Sequence, residues 1–225
     1  MKLPREVAVM TLPNATLFPQ ALLPLYIFEP RYRRMLADVL AGDRIFAVAM
    51  QKPGSSREKP MAVAGLGFVR AAVKHADGTA QLILQGLTRV ELSAAVRYRP
   101  YRVHGIRTLE SPPCDDAAVG ALVTQVRDLL ARRFQLGLPF PFPVFSQPIA
   151  GTGKMPPPSL PAKEILHYLD NLATPDQVAD LVSCAVLSVA DERQTILETV
   201  NVETRLHHLV RFLLADLRRQ GKKSA

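Results

Sequence analysis

The run Gly151-Thr152-Gly153-Lys154 is the segment of this sequence that comes closest to a motif with its own chemistry. Glycines followed by a lysine can cradle phosphates, but a phosphate-binding loop also needs Ser or Thr after the lysine to hold Mg²⁺. Here Met155 follows the lysine, and Pro148 stands five residues before Gly153, where the motif requires glycine. We therefore expect no nucleotide cofactor at this segment.

The other residue types that carry catalysis or bind metals are present without a productive spacing. The five histidines form neither an HExxH motif nor another ligand spacing; they are His75, His104, His167, His207 and His208. The sequence has no G-x-S-x-G nucleophile elbow. Cys114 and Cys184 form no CxxC pair, so we expect two free thiols in a cytoplasmic protein. We predict no catalytic residue, no metal site and no cofactor.

Charge and composition favour a globular protein that has one basic half. The chain has 225 residues, 48% of them apolar, and a net charge of +8. Residues 1–110 contain 16 Lys and Arg against 8 Asp and Glu, whereas residues 111–225 contain 12 of each. The excess positive charge permits an anionic partner without requiring one. No apolar run reaches the length of a membrane span, so we expect no membrane contact.

A proline-rich segment is the first candidate for partner binding. Residues 137–161 hold eight prolines, with Phe140, Phe142 and Phe145 interleaved among them. Exposed apolar groups of this size often mark a contact with a partner or ligand, and proline-rich segments lose little entropy on binding. The alternative is that the phenylalanines pack back onto the helices.

Basic and aromatic residues form a second candidate. In the run Arg97-Tyr98-Arg99-Pro100-Tyr101-Arg102, strand alternation would place Arg97, Arg99 and Tyr101 on one face and Tyr98 and Arg102 on the other. Such a face could bind single-stranded nucleic acid through phosphate contacts and stacking, or it could simply be a solvated strand.

Arginines also crowd the first turn of the helix that is predicted to start at Pro30. Arg31 and Arg34 are either part of a binding surface or a solvated helix start. We retain both, together with Tyr101, as candidate partner-binding residues.

The elements that must position these residues fall into two halves. Residues 1–111 read as short strands, one helix from Pro30 to Gly42, and an Asp77-Gly78 hairpin; Gly65 and Gly67 mark bulges or close approaches. This pattern indicates a small barrel or sandwich. Strands are predicted at 5–10, 22–28, 44–51, 61–76, 80–98 with an interruption near Gly86, and 102–109.

Residues 112–225 read as helices, after a boundary at Ser111-Pro112-Pro113. Helices are predicted at 116–134, at 162–172, from a capping box at Thr174–Gln177 to Val189, from Asp191 to about Val200, and after a cap at Asn201. The predicted fold class is therefore α+β, with the β half first.

The stretch from Leu12 to Arg34 contains proline-anchored apolar groups at fixed offsets. They are Leu12-Pro13, Leu17-Phe18-Pro19, Leu23-Pro24-Leu25 and Ile27-Phe28-Glu29-Pro30-Arg31-Tyr32. This pattern resembles the opening of the Lon protease N-terminal domain, and further elements follow in the order typical of that family. They are Val63-Ala64-Gly65, Asp77-Gly78-Thr79, Gly86-Leu87-Thr88-Arg89-Val90, Ala179-Asp180-Leu181, Gln194-Thr195-Ile196-Leu197-Glu198 and Arg205-Leu206.

The resemblance implies a fold and a function. The fold is a PUA-like, mostly antiparallel β pseudo-barrel followed by a helical bundle. The function is non-catalytic binding of unfolded or hydrophobic polypeptide segments, or of a partner protein, by a standalone domain without the ATPase and protease modules. We place the binding surface in an apolar cleft between the two halves. The alternative is an RNA-binding module that uses the basic β half.

Overall fold

The computed structural model describes residues 3–55, 58–138, 164, 167, 168 and 171–221. Six strands and one helix come first, and four helices follow them in the described part of the chain. The strands are β1 (Glu6–Leu12), β2 (Leu22–Ile27), β3 (Ile45–Met50), β4 (Val63–Lys74), β5 (Ala80–Arg97) and β6 (Arg102–Thr108). The helices are α1 (Pro30–Ala41), α2 (Asp116–Gln135), α3 (Pro175–Val186), α4 (Ala190–Glu198) and α5 (Val202–Gly221). The predicted α+β class is confirmed.

Five of the strands close into a barrel. The strand order is β2-β5-β4-β3-β1-β6. Strand β6 also pairs with β5, which closes the ring β5-β4-β3-β1-β6. Only the β1–β3 pair is parallel among the pairings described. Small and branched apolar residues fill one cluster between these strands: Val7, Val9, Ile45, Ala47, Ala49, Ala64, Leu66 and Val90. The sheet is mostly antiparallel, as predicted.

Strand β5 is long enough to belong to two pairings at once. Its first part pairs with β2, and its second part pairs with β6. The interruption predicted near Gly86 is wrong, because Gly86 lies within the strand opposite Gly67, beside a shift in register. Strand β2 is therefore an edge strand attached to β5 outside the closed ring.

Helix α1 covers the sheet face opposite the barrel cluster. It begins at Pro30 as predicted, and Tyr32, Met35, Leu36 and Val39 are its buried side chains. The helix ends at Ala41, next to the predicted end at Gly42, and Gly42 itself has a φ of −112°, outside the left-handed region. The left-handed residue after this helix is Arg44, whose φ is 61° and whose backbone N–H donates to the Val39 carbonyl.

Residues from the opening stretch of the sequence contribute to the core of the helical half. Phe18 and Ala21, from the loop before β2, belong to the same buried cluster as the helices. The predicted capping box at Thr174 and Gln177 is confirmed, and the Asn201 side chain accepts from the backbone N–H of Thr204 at 2.9 Å. Beyond Leu138, the predicted proline-rich segment lies outside the described residues.

Gly86 is where the opening loop lies directly against the sheet. The Gly86 N–H donates to the Ala21 carbonyl and its carbonyl accepts from Gln20 N–H, both at 2.8 Å. A Cβ at this position would lie 1.9 Å from the Phe18 carbonyl oxygen. The backbone of the loop can only accommodate it by moving.

We predict that Gly86→Ala lowers the free energy of unfolding by about 1–3 kcal/mol, the usual cost of overpacking. Urea unfolding followed by circular dichroism measures it. Gly120→Ala in α2 is the matched control, because nothing lies within 4 Å of its added Cβ. Alanine is the better helix former, so that variant should gain up to about 1 kcal/mol. Equal losses in both would show that the close approach at Gly86 is unimportant.

Candidate functional site

The candidate residues fall into three groups in the structure. Phe140, Phe142 and Phe145 lie outside the described residues. Arg34 is exposed, and its Nε donates to Asp38 Oδ2 at 3.2 Å, one helical turn along α1. Arg31 and Tyr101 both line one pocket.

Tyr101 is buried, which corrects its predicted place on a solvated strand face. Residues 98–101 form the connection between β5 and β6, so strand alternation does not apply to them. The Tyr101 hydroxyl donates to Asp38 Oδ2 at 2.8 Å, and the Arg97 guanidinium lies 4.8 Å from the ring centroid. Burial raises the pKa of Tyr101, and the hydrogen bond from Tyr101 lowers the pKa of Asp38. Tyr101 thus anchors the pocket wall to α1.

We name this pocket the arginine–tyrosine pocket. Its volume is about 410 Å³, and it is lined by Val9, Arg31, Tyr32, Glu58, Tyr98, Arg99, Pro100, Tyr101 and Arg102. Tyr32 is buried, and its hydroxyl donates to the Thr11 carbonyl and accepts from the Thr11 N–H, both at 3.1 Å. Burial is the main reason that the pKa of Tyr32 is raised. Two tyrosines with satisfied hydroxyls therefore hold the pocket in shape.

Arg31 is held by two carboxylates. It lies 2.8 Å from Glu29 Oε2 and forms a bidentate pair with Glu58. Its guanidinium also stacks 4.4 Å from the Tyr32 ring centroid. The hydrogen bond from Arg31 lowers the pKa of Glu58 below its usual value. The positive charge of Arg31 is thus largely compensated.

The rim of the pocket is more open than its floor. Tyr98 has 64% of its surface exposed, and the Arg102 guanidinium lies 5.3 Å from its ring centroid. Arg99 is exposed and has no ion pair with any residue in the described ranges. The sequence run identified the right residues, but assigned Tyr98 and Arg102 to a different face from Arg99.

An apolar surface covers the barrel side of β2 and its neighbours, and the sequence reasoning missed it. In-register residues of neighbouring strands share a face, and three such rows cross β2, β5 and β4. The rows are Leu22, Gln85 and Phe68; Pro24, Ile83 and Ala71; and Tyr26, Gln81 and Val73. Leu22, Tyr26, Phe28 and Val73 have 56%, 45%, 60% and 60% of their surface exposed. We call Leu22, Pro24, Tyr26, Phe28, Val73 and Ile83 the sheet-face patch.

Both faces of β2 are apolar, and this is the signal that could have revealed the patch. Leu23, Leu25 and Ile27 pack with α1 on the opposite face. Their neighbours Leu22 and Phe28 are exposed. Tyr26 and Phe28 instead stack with ring centroids 6.0 Å apart on the exposed side.

The seam between the sheet and the helices is polar, which corrects the predicted apolar cleft. A pocket of about 280 Å³ lies there, and its lining includes Arg89, Glu110, Ser111, Asp176, Gln177 and Asp180. At the base of this pocket, Asp180 Oδ1 accepts from Arg89 Nη2 and, at 2.7 Å, from Arg205 Nη1. Arg205 also pairs with Asp176, and Arg89 Nε donates to the Leu197 carbonyl at 3.1 Å.

This ion network unites three of the sequence elements on which the resemblance was based. Arg89 comes from β5, Asp180 from α3 and Arg205 from α5, and their side chains are 6%, 4% and 0% exposed. Burial lowers the pKa of Arg89, and Asp180 opposes that shift. The network links the two halves and leaves no apolar groove at this point of the seam.

Two further findings concern chemistry and membranes. Among the described residues, no group of three or more His, Cys, Asp or Glu side chains could hold a metal ion. Both cysteines are free, and burial raises the pKa of Cys184 to about 11.

None of the helices in the described ranges has both the length and the apolar character needed to cross a bilayer.

Comparison with known sequences gives a match over most of the chain. A family model described as the ATP-dependent protease La (LON) substrate-binding domain matches residues 6–215. The Lon protease of Dictyoglomus thermophilum is 22% identical over 218 residues, which are 96% of this chain and 25% of that protein. Lon protease 1 of Thermus thermophilus is 26% identical over 218 residues, 95% of this chain and 25% of that protein. The chain spans about a quarter of the length of these relatives.

Solved structures share the fold at low sequence identity. The N-terminal domain of a Mycobacterium avium complex Lon protease superposes with a TM-score of 0.68 and 18% identity, covering 92% of this chain and 97% of that one. A Lon N-terminal domain protein from Xanthomonas campestris superposes with a TM-score of 0.55 and 18% identity, covering 92% of this chain and 98% of that one. Both likenesses cover sheet and helices together.

Proposed function

This chain belongs to the family of the ATP-dependent protease La (LON) substrate-binding domain, and we propose that it binds polypeptide segments with exposed apolar side chains on the sheet-face patch. The name of the family describes substrate binding, which makes an extended or unfolded polypeptide the ligand class to test first. The observation that carries the proposal is the exposure of Leu22, Tyr26, Phe28 and Val73 on one continuous sheet face.

The arrangement of the patch suits apolar side chains of a ligand. Two stacked aromatic rings lie beside aliphatic side chains, and the glutamines Gln81 and Gln85 lie between β2 and β4 on the same face. Contiguous exposed apolar surface of this kind is uncommon on proteins without a partner. Aromatic residues give large contact area at low entropic cost because they have few rotatable bonds.

Binding occurs through the side chains of the face more than through the backbone edge of β2. No described residue pairs with the outer edge of β2. Pro24 lies in the middle of this strand and has no N–H, so the edge lacks one donor of a continuous ladder. A ligand that lies across the face meets no such gap.

The proposal also covers the absence of catalysis, the cellular location and a second contact with the polypeptide. We propose that the protein acts by binding and not by catalysis, on the ground that the matched family model is a substrate-binding domain. Two free thiols are compatible with the cytoplasmic location that we propose. The segment 137–161, with Phe140, Phe142 and Phe145, remains a second proposed contact for the same polypeptide.

We predict that the double variant Tyr26→Ser, Phe28→Ser binds apolar polypeptide about thirtyfold more weakly than the parent protein. We expect each ring to contribute about 1 kcal/mol by burying part of its exposed surface on binding. Two rings then contribute about 2 kcal/mol, and about 1.4 kcal/mol corresponds to a tenfold change in Kd. Fluorescence anisotropy with fluorescein-labelled β-casein, an unfolded protein, measures the affinity.

Val96→Ser is the matched control, because Val96 is 57% exposed on β5 but lies outside the patch. It should bind casein as the parent does, and both variants should unfold at the parent's urea concentration. Unchanged casein binding by the double variant would remove the sheet-face patch from the proposal. No binding by the parent protein would remove polypeptide recognition itself.

The RNA-binding alternative receives no support from the relatives reported above. It was motivated by the PUA-like fold and the basic half, with the run from Arg97 to Arg102 as a candidate surface. Five of these six residues line the arginine–tyrosine pocket, but Tyr101 is buried and Arg97 stacks on it, so these residues form no row of stacking platforms.

A further inference from the structure

We infer that the arginine–tyrosine pocket binds a carboxylate of the polypeptide that lies on the sheet-face patch. The protein would then select apolar segments that carry a nearby Asp or Glu side chain or end in a free carboxyl terminus. This inference rests on the proposed function and names the chemistry that the pocket adds to it.

The pocket begins where the patch ends. Phe28 of the patch follows directly after β2, and Arg31, three residues later, lines the pocket. Three residues span at most about 10 Å of chain. The backbone positions of Phe28 and Arg31 are therefore close enough for a peptide of a few residues to contact both the aromatic rings of the patch and the rim of the pocket.

The charge of the pocket fits a group with one negative charge. Its lining has three arginines and one glutamate, an excess of two positive charges, and the pairing of Arg31 with Glu29 compensates one of them. A carboxylate would neutralise what remains. A doubly charged phosphate would instead approach the Glu58 carboxylate in the same pocket at a higher electrostatic cost.

Arg99 and Arg102 are the side chains that would bind the carboxylate. Arg99 is exposed and forms no ion pair with the described parts of the chain. Arg102 lies over the exposed ring of Tyr98, which holds the guanidinium at the rim. A planar guanidinium presents paired N–H donors that match the two oxygens of a carboxylate.

The floor of the pocket requires little rearrangement on binding. Tyr32 and Tyr101 are buried, and their hydroxyls are bonded to Thr11 and Asp38. Side chains that are already fixed lose little entropy when a ligand arrives. Arg31 is held by Glu58 in the same way. Only the rim residues need to become ordered.

The test compares fluorescein-labelled peptides that share one apolar core with alternating leucine and phenylalanine. The first has amidated ends and no charge, the second adds a flanking glutamate, the third adds a flanking lysine, and the fourth has a free carboxyl terminus. We expect the glutamate peptide to bind about tenfold more tightly than the lysine peptide, a difference of about 1.4 kcal/mol. The fourth peptide shows whether a terminal carboxylate serves as well as a side chain.

The variants identify the pocket as the source of this preference. Arg99→Ala should reduce the preference for glutamate about threefold, and Arg99→Glu should reverse it in favour of the lysine peptide. Arg218→Ala is the control, because it removes one positive charge from an exposed position on α5 in the helical half, and it should leave the preference unchanged. The preference should also shrink as salt is added, since salt screens exposed charges.

Each outcome decides between the two proposals. Equal binding of the glutamate and lysine peptides, with the uncharged peptide still bound, would overturn the carboxylate inference and leave the proposed function intact. No binding of any peptide would overturn both. Tighter binding of a fluorescein-labelled oligouridylate, with the steep salt dependence of phosphate contacts, would assign the pocket to nucleic acid and overturn the inference.

Discussion

Replacing Asp180 with alanine is expected to lower the free energy of unfolding by about 3–5 kcal/mol, the usual cost of removing one partner from a buried ion pair. Asp180 accepts hydrogen bonds from Arg89 and Arg205, and the three side chains are almost fully buried. Without the carboxylate, two guanidinium groups remain in the seam. Among the described residues, Asp176, which is 48% exposed, is then the carboxylate still in contact with Arg205. We expect the melting temperature to fall by about 10 °C for a chain of this size.

Urea unfolding is the right measurement, because guanidinium chloride would itself screen the ion pairs. Glu91→Ala provides the matched control. Glu91 also pairs with an arginine, Arg107, but both side chains are largely exposed, so the loss should stay below about 1 kcal/mol. If Asp180→Ala cost no more than Glu91→Ala, the network would not contribute to joining the two halves.

The second large effect is expected for Phe18→Ala, which should cost about 3–5 kcal/mol. Phe18 is fully buried and belongs to the core cluster of the helices, although it lies in the loop before β2. Truncation would leave a cavity between the sheet and the helical half. Because the neighbouring loop backbone is held against Gly86 by two hydrogen bonds, the site can collapse only partly.

The same stretch offers an internal comparison for this prediction. Phe28→Ala removes the same atoms ten residues later, from a side chain that is 60% exposed. Its unfolding free energy should change by less than about 0.5 kcal/mol, while its binding of casein should weaken. Phe18→Leu should recover most of the stability, since leucine fills much of the same volume. Equal losses at both positions would contradict the assignment of Phe18 to the core.

Local signals in the sequence predicted local structure well. Pro30 at the first turn of α1, the Thr174–Gln177 capping box and the Asp77-Gly78 turn all act through residues within four positions of one another, so their effect can be inferred without knowing the rest of the fold. The two glycines that were expected to allow a close approach do so: a Cβ on Gly65 would lie 2.0 Å from the Leu17 carbonyl oxygen.

Side-chain relations across long separations were beyond the sequence. Arg89 and Asp180 are 91 residues apart, and Asp180 and Arg205 are 25 apart. Each residue was recognised only as part of a family pattern, and nothing in that pattern shows that the three meet. The burial of Tyr101 was missed for a related reason. Its hydroxyl bonds to Asp38, which lies 63 residues away on α1, and the local sequence around Tyr101 does not show this contact.

The sheet-face patch was missed because a strand that is apolar on both faces, such as β2, can be either an interior strand or an edge strand with one exposed face. A strand with apolar residues on both faces usually lies in the interior, where neither face is exposed. The proline in its middle indicated an edge strand, and an apolar edge strand with two apolar faces must expose one of them. Reading those two signals together would have identified the patch.

Pro24 also has a consequence for what happens after binding. A surface that repeatedly meets unfolded chains is exposed to their tendency to align along an open strand and extend the sheet, which is the first step of amyloid-like growth. With no N–H at Pro24, the outer edge of β2 cannot template a continuous ladder. If the sheet-face patch binds unfolded segments as we propose, Pro24 allows a segment to be held by side-chain contacts and released without adding a continuous strand to the sheet.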